Sequence, residues 1–355
     1  MIKSFLKKSW LGLLSLAISF GFLYAGAAKS GGVSEIRAAS KDVDLRWVAA
    51  GFFCVVMFWL LDGYVLYILT RIKYGRYRLL KSIKTGMVGL LYSALTPLSL
   101  GGQPMQIIDM LDEHVDAGNA SSIITARTLV YQSTMTVFGV VSVLAMYGTF
   151  SKAIAHFSLF AVFGVVTNTA FIAAIALICV SERATLRLTA FFVNLLANIG
   201  IIRQRDYRLE KITAQIRLFH QSYSLIYRHC RQLAFSVVIT FFQLVFYFLV
   251  PFCIYMGFDA GMHVASLTVF QGVAAASIIM MVTAFIPLPG AVGAAEGSFF
   301  LFFSLFFNQS VIIPAIFIWR ILTYYSCIVV GALISLADIL LKKARHTDIK
   351  AEVRH

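Results

Sequence analysis

The stretch Pro287-Leu288-Pro289-Gly290-Ala291-Val292-Gly293-Ala294-Ala295-Glu296-Gly297 decides how this chain is read. Prolines remove backbone donors and glycines turn freely, so a helix arriving here stops. Before it lies the apolar run Val264 to Ile286, and after it the short aromatic run Ser298 to Phe307. Such a break leaves backbone groups free at membrane depth, which is tolerated only where they face protein or a water-lined cavity. Val264 to Ile286 is long enough to cross alone, so the region reads either as a re-entrant hairpin or as two spans joined by an unusual break.

The membrane follows from composition. A chain of 355 residues with 60% hydrophobic and 13% charged residues and a mean hydropathy of +0.84 is not a soluble protein. Six runs approach the length of a span: Trp10 to Ala28, Trp47 to Thr70, Ser121 to Tyr147, Phe157 to Val180, Leu233 to Met256 and Val311 to Leu336. Thr85 to Leu100 is too short to span, and it breaks at Thr96-Pro97-Leu98-Ser99-Leu100-Gly101-Gly102-Gln103-Pro104. Its return limb is joined by Asp109, Asp112, Glu113 and Asp116, so it should end near water.

The net charge of +14 is clustered. Lys3, Lys7 and Lys8 precede the first run. Arg71, Lys73, Arg76, Arg78, Lys81 and Lys84 form a second patch, Arg183 to Arg231 a third, and Lys342, Lys343, Arg345, Lys350 and Arg354 a basic tail. Cytoplasmic flanks collect Lys and Arg, which places all four patches and both termini inside. The same charge would hold them against anionic lipid heads. Because these residues border apolar spans rather than forming a folded module, nucleic acid is not an expected partner.

With the patches inside, the first broken region begins and ends on the inner face, and the second on the outer face. The expected fold is an all-α integral membrane protein of about six full spans plus two Pro/Gly-broken hairpins arranged as an inverted repeat, or eight spans if the second hairpin crosses fully. Transporters of that build hold their sites near the midplane. The chain then divides into a first membrane half, 1–180, with its hairpin at 85–118; a basic arm, 181–232; a second half, 233–341, with its hairpin at 264–307; and a basic tail, 342–355. The echo between the breaks is faint, Pro97-Leu98-x-x-Gly101 beside Pro287-Leu288-x-Gly290. The arm reads as an interfacial helix or as a solvated connector. At the N-terminus, a basic start, an apolar stretch and Ala25-Gly26-Ala27-Ala28 also resemble a cleavable signal, and both fates of the first helix stay open.

Four charges fall inside apolar runs: Asp62, Arg127, Glu296 and Arg320. Each costs roughly 2.5–3.5 kcal/mol or more at a bilayer centre and needs a partner, a cavity or a ligand. Glu296 and Arg320 are expected to share one cavity, whereas Asp62 and Arg127, nearer the inner interface, could snorkel or pair locally. Exposed amides at helix starts attract anions. The candidate substrate-binding set is therefore Glu296, Arg320, Arg127 and Asp62 with Gly101, Gly102, Gln103, Pro287, Pro289, Gly290 and Gly293.

Catalysis has little support. The histidines sit at span ends, in the arm or in the tail, without HExxH or GxSxG spacing. The five cysteines lie far apart and read as small buried residues. No enzyme activity, metal or cofactor is expected.

The break Thr96 to Pro104 and the run Pro287 to Gly297 resemble the two signatures of the lysylphosphatidylglycerol synthase transmembrane family, also called the flippase-like domain family, the membrane domain of the multiple peptide resistance factors. The resemblance extends over nearly the whole chain. It implies movement of aminoacylated or other anionic phospholipids, or related lipid-linked compounds, between leaflets. The family's acidic residue after the Pro-Gly run falls on Glu296 and its arginine in the following helix on Arg320. Where the family usually has a second glycine, this sequence has Ala291. Larger members carry a cytosolic aminoacyl transferase domain, and the sequence to His355 contains none. The expected function is a flippase-like transporter of an anionic, aminoacylated or lipid-linked phospholipid in the bacterial inner membrane. Two alternatives remain: a membrane subunit presenting lipid to a separate lipid-modifying enzyme, and an ion-coupled small-solute transporter with Glu296 as proton carrier.

Overall fold

The computed structural model describes residues 43–198, 205–259 and 262–352. The expected first span, Trp10 to Ala28, and the signal-like segment lie outside the described residues. Within them the chain is helical throughout, with an isolated bridge between His263 and Phe307.

Among the described residues five helices are long and apolar enough to cross a membrane. They are α1 (Leu45–Arg71), α4 (Ala117–Ala153), α5 (Phe157–Val180), α8 (Cys230–Gly257), and the stack of α11 (Gln309–Arg320) and α12 (Ser326–Glu352), joined by a π-helical turn at Ile321–Tyr325. They coincide with the five remaining apolar runs. Helix α1 starts where the Asp44 carboxylate accepts from the Arg46 amide at 2.9 Å. It packs along α8, with the Phe58 and Tyr247 rings 4.8 Å apart.

Both broken regions are helical hairpins. The first is α2 (Leu79–Leu95), a 3₁₀ turn at Pro97–Ser99 and α3 (Gly102–Asp112). The second is α9 (Val269–Thr283), a 3₁₀ turn at Pro289–Ala291 and α10 (Ala294–Phe303). Helix α9 starts later than its apolar run because Thr268 and Gln271 form a reciprocal capping box. Its 15 residues make about 22 Å of helix, short of a hydrocarbon core of roughly 30 Å.

The two turns share one backbone conformation. Thr96 and Leu288 lead in at φ −119 in both cases, and Leu98 (φ 54, ψ 16) matches Gly290 (φ 61, ψ 15). The structural register thus sets Pro97 on Pro289, two residues away from the Pro97/Pro287 echo read in the sequence. That echo misled because the left-handed position, which favours glycine, is filled by a leucine in the first break. The two turns pack against each other.

Helices α6 (Glu182–Asn198) and α7 (Arg205–Arg228) form the basic arm. Helix α7 crosses the start of α4 closely: the Gln215 side chain accepts from the Gly118 amide at 2.8 Å, and a Cβ at Gly118 would meet the Gln215 carbonyl at 2.4 Å. Phe219, Ser222 and Ile226 of α7 are buried.

Candidate functional site

The second break is built around Glu296, which is fully buried, and Arg320, 4% exposed. Arg320 Nε donates to Glu296 Oε1 at 2.8 Å, and Nη1 donates to the Gly290 carbonyl at 3.2 Å. Glu296 Oε2 accepts from the Gly293 amide at 2.7 Å, capping α10. One ion pair therefore holds both sides of a turn whose Gly290 and Gly293 have positive φ. Arg320 Nη2 is buried and makes no hydrogen bond. The guanidinium carbon lies 5.1 Å from the Trp319 ring centroid and 5.3 Å from that of Tyr324.

Tyr324 joins the two breaks. Its ring fills the place of a side chain at Gly290, where a Cβ would lie 2.3 Å from Cε2, and its hydroxyl donates to the Ala94 carbonyl at the end of α2, at 3.1 Å. The end of α9 is held from the other side. Asn168 of α5, fully buried, donates to the Met281 carbonyl at 3.0 Å and accepts from Gln132 of α4. Gly139 and Gly164 leave room for Met281 between α4 and α5.

Asp62 and Arg127 form a separate ion pair, from Arg127 Nη2 to Asp62 Oδ1. The same oxygen accepts from Gln243 Nε2 of α8 at 3.0 Å. Asp62 is 1% exposed, and both its Oδ2 and Arg127 Nε are buried without a hydrogen-bond partner.

The other residues singled out in the sequence fall around these pairs. Gly101 donates its amide to Thr96 Oγ1 at 2.8 Å. Gly102 lets α3 approach α2, since a Cβ there would lie 2.8 Å from the Gly89 carbonyl. Gln103 is half-buried in the first turn of α3; Pro289 is buried, whereas Pro287 is exposed. Tyr324, Asn168, Gln132 and Gln243 were missed. Of these only Tyr324 had a usable signal, lying four residues after Arg320 and so on the same helix face.

A third charged cluster ties the first hairpin to the last helix. Lys84 Nζ lies 2.9 Å from Asp109, 3.0 Å from Glu113 and 3.3 Å from Asp338, and Lys342 lies 2.7 Å from Asp112 and 2.8 Å from Asp338. Lys81 completes the set by pairing with Glu113. Burial raises the Glu113 carboxyl, but the bonds from Lys81 and Lys84 outweigh it and leave it below its ordinary range. Nearby, Arg76, Arg78 and Lys81 line a shallow open cleft of about 380 Å³. Among the described residues no three His, Cys, Asp or Glu side chains gather as a metal site.

A bundle of membrane-length helices, with two broken hairpins meeting turn to turn beside a buried ion pair, is the build of a multi-pass membrane protein with polar groups held at depth. The family described as the lysylphosphatidylglycerol synthase TM region matches residues 12–331, and the chain belongs to that family. Its function is therefore related to membrane lipid. No curated protein shows significant similarity to the chain.

Proposed function

We propose that this chain is a flippase-like transporter that moves an anionic, aminoacylated or lipid-linked phospholipid between leaflets of the bacterial inner membrane. The observation that carries this reading is the meeting of the two breaks beside Arg320, whose Nη2 is a buried donor with no partner. A desolvated guanidinium nitrogen suits one phosphate oxygen. The like-built turns support an inverted repeat, and the 15-residue α9 supports a re-entrant second hairpin. The clustering of Lys and Arg beside the apolar runs supports cytoplasmic termini, and the cleft at Arg76, Arg78 and Lys81 would gather anionic heads there. In this reading the chain performs no lipid synthesis itself.

The test is reconstitution of the purified chain into liposomes carrying a trace of fluorescent phosphatidylglycerol. Exchange between leaflets should run well above that of protein-free liposomes. Lipid binding with exchange at the empty-liposome rate would instead favour presentation of lipid to a separate enzyme, a reading that the family's description as part of a synthase also supports.

A further inference from the structure

The two buried ion pairs each leave a guanidinium nitrogen open, and they differ in how completely the carboxylate is satisfied. Both oxygens of Glu296 are engaged, one by Arg320 and one by the Gly293 amide. At Asp62 a single oxygen does all the work: Oδ1 takes both Arg127 and Gln243, while Oδ2 takes nothing. Oδ2 faces Gly86 of α2, where even a Cβ would come within 3.0 Å. In the same pair, Arg127 Nε is an equally unused donor. A buried acceptor and a buried donor left open in one cluster are costly, and a ligand of complementary chemistry would satisfy both.

We propose that Asp62 is the proton-binding residue of this transporter, taking one proton on Oδ2 as Arg127 passes from Asp62 to the phosphate of an anionic lipid. This rests on the transport reading. The charges balance at each stage. In the resting pair, Asp62 carboxylate and Arg127 guanidinium sum to zero. In the loaded state, neutral Asp62, Arg127 and a singly charged phosphodiester again sum to zero, with one O–H bond formed on Oδ2 by a proton from water on the more acidic side. No uncompensated charge is exposed to hydrocarbon in either state, which is the condition for crossing at depth.

The coupling follows from the shared arginine. A phosphate on Arg127 removes the counter-charge from Asp62 and places a second anion beside it, and a proton on Oδ2 removes the uncompensated charge that would result. By reciprocity, the proton favours the phosphate to the same degree. The groups facing Asp62 permit this. From α4 come Arg127 and Tyr131, from α8 Gln243, with Tyr247 near Tyr131, and from α2 the uncharged Gly86 at the free oxygen. Lys84, on the same helix α2, is already occupied by Asp109, Glu113 and Asp338.

Two measurements test the proposal. In proteoliposomes of zwitterionic lipid with fluorescent phosphatidylglycerol, a pH gradient should drive the probe toward the alkaline side. One proton per lipid sets a limit of about tenfold in leaflet ratio per pH unit, and a membrane potential alone should drive nothing. Asp62→Asn should abolish this accumulation. Accumulation that persists in Asp62→Asn, or wild-type exchange that ignores the gradient, would overturn the proposal while leaving transport intact. The second measurement does not need transport: infrared difference spectra of the purified protein on adding short-chain phosphatidylglycerol. A protonated-carboxyl band should appear in the wild type and be missing in Asp62→Asn; a band unchanged by the substitution would overturn the proposal. If wild type shows the band but no leaflet exchange, transport fails and the proton site stands. If soluble glycerol phosphate produces the same band, the site takes a free headgroup phosphate rather than a lipid. Should Asp62→Asn not fold, absence of the band in the wild type still overturns the proposal.

Discussion

The two hairpins are matched in backbone and differ in what holds them. In the second break the left-handed position is Gly290, with the Tyr324 ring against it and a buried ion pair clamping its carbonyl. In the first, the equivalent Leu98 is 39% exposed, and the charges that hold the hairpin lie at its far end, where Lys84 meets Asp109 and Glu113. One turn is pinned at its centre and the other at its base. The ion pair of the first half sits between α1 and α4 instead, with one carboxylate oxygen unused. Equal folding of two turns thus does not imply equal work: at the second break both carboxylate oxygens are engaged and only Arg320 Nη2 is open, whereas the ion pair of the first half has an open atom on each partner.

The largest expected effect breaks the pinned turn. Arg320→Gln strands Glu296 fully buried and frees the Gly290 carbonyl. Loss of one partner of a buried pair costs about 3–5 kcal/mol, so thermal unfolding in detergent should show a strongly destabilised protein. Wild-type stability in this variant would mean that the pair holds nothing.

The matched left-handed positions should respond with different signs. Gly290→Ala adds about 1–2 kcal/mol of backbone strain and drives a methyl into the Tyr324 ring. Leu98→Gly relieves the same strain at an exposed site and should be neutral or stabilising within about 1 kcal/mol. Equal loss in both variants, by the same unfolding measurement, would erase the distinction between the breaks.

Tyr324→Phe keeps the ring on Gly290 and removes the hydroxyl from the Ala94 carbonyl. The expected cost is about 1 kcal/mol. A loss as large as that of Gly290→Ala would show that the link between hairpins, rather than the packing of the ring, holds the centre.

The smallest effect lies at the base of the first hairpin. Glu113 is held below its ordinary range, so its contribution is present at neutral pH and is lost as pH falls through its lowered folded-state value. Unfolding followed from neutral to acidic pH should show a stability decline that is shallower in Glu113→Gln. Identical profiles would remove Glu113 from the account.

Much of this was legible before the structure. Apolar length gave the five described spans, and Pro-Gly content located both breaks, because these residues act through backbone geometry that sequence displays directly. Glu296 and Arg320 stood out because a charge in an apolar run is rare. What stayed hidden was uncharged: Asn168, Gln132 and Gln243 cost too little to interrupt a hydrophobic pattern, and Tyr324 was marked only by its spacing of four from Arg320. The pairing of Asp62 with Arg127 bridges 65 positions and depends on how α1 meets α4. The start of α9 was legible, since Thr268-x-x-Gln271 ahead of an apolar run is a capping box, but run length alone placed the helix too early.

The most direct measurement compares phosphatidylglycerol exchange in liposomes by wild type and by Glu296→Gln/Arg320→Gln. Removing both charges avoids the stranded ion, so the double variant should fold close to wild type. If Arg320 receives the lipid phosphate beside the second break, wild type exchanges lipid and the folded double variant does not. A double variant that folds and exchanges at the wild-type rate would contradict the account.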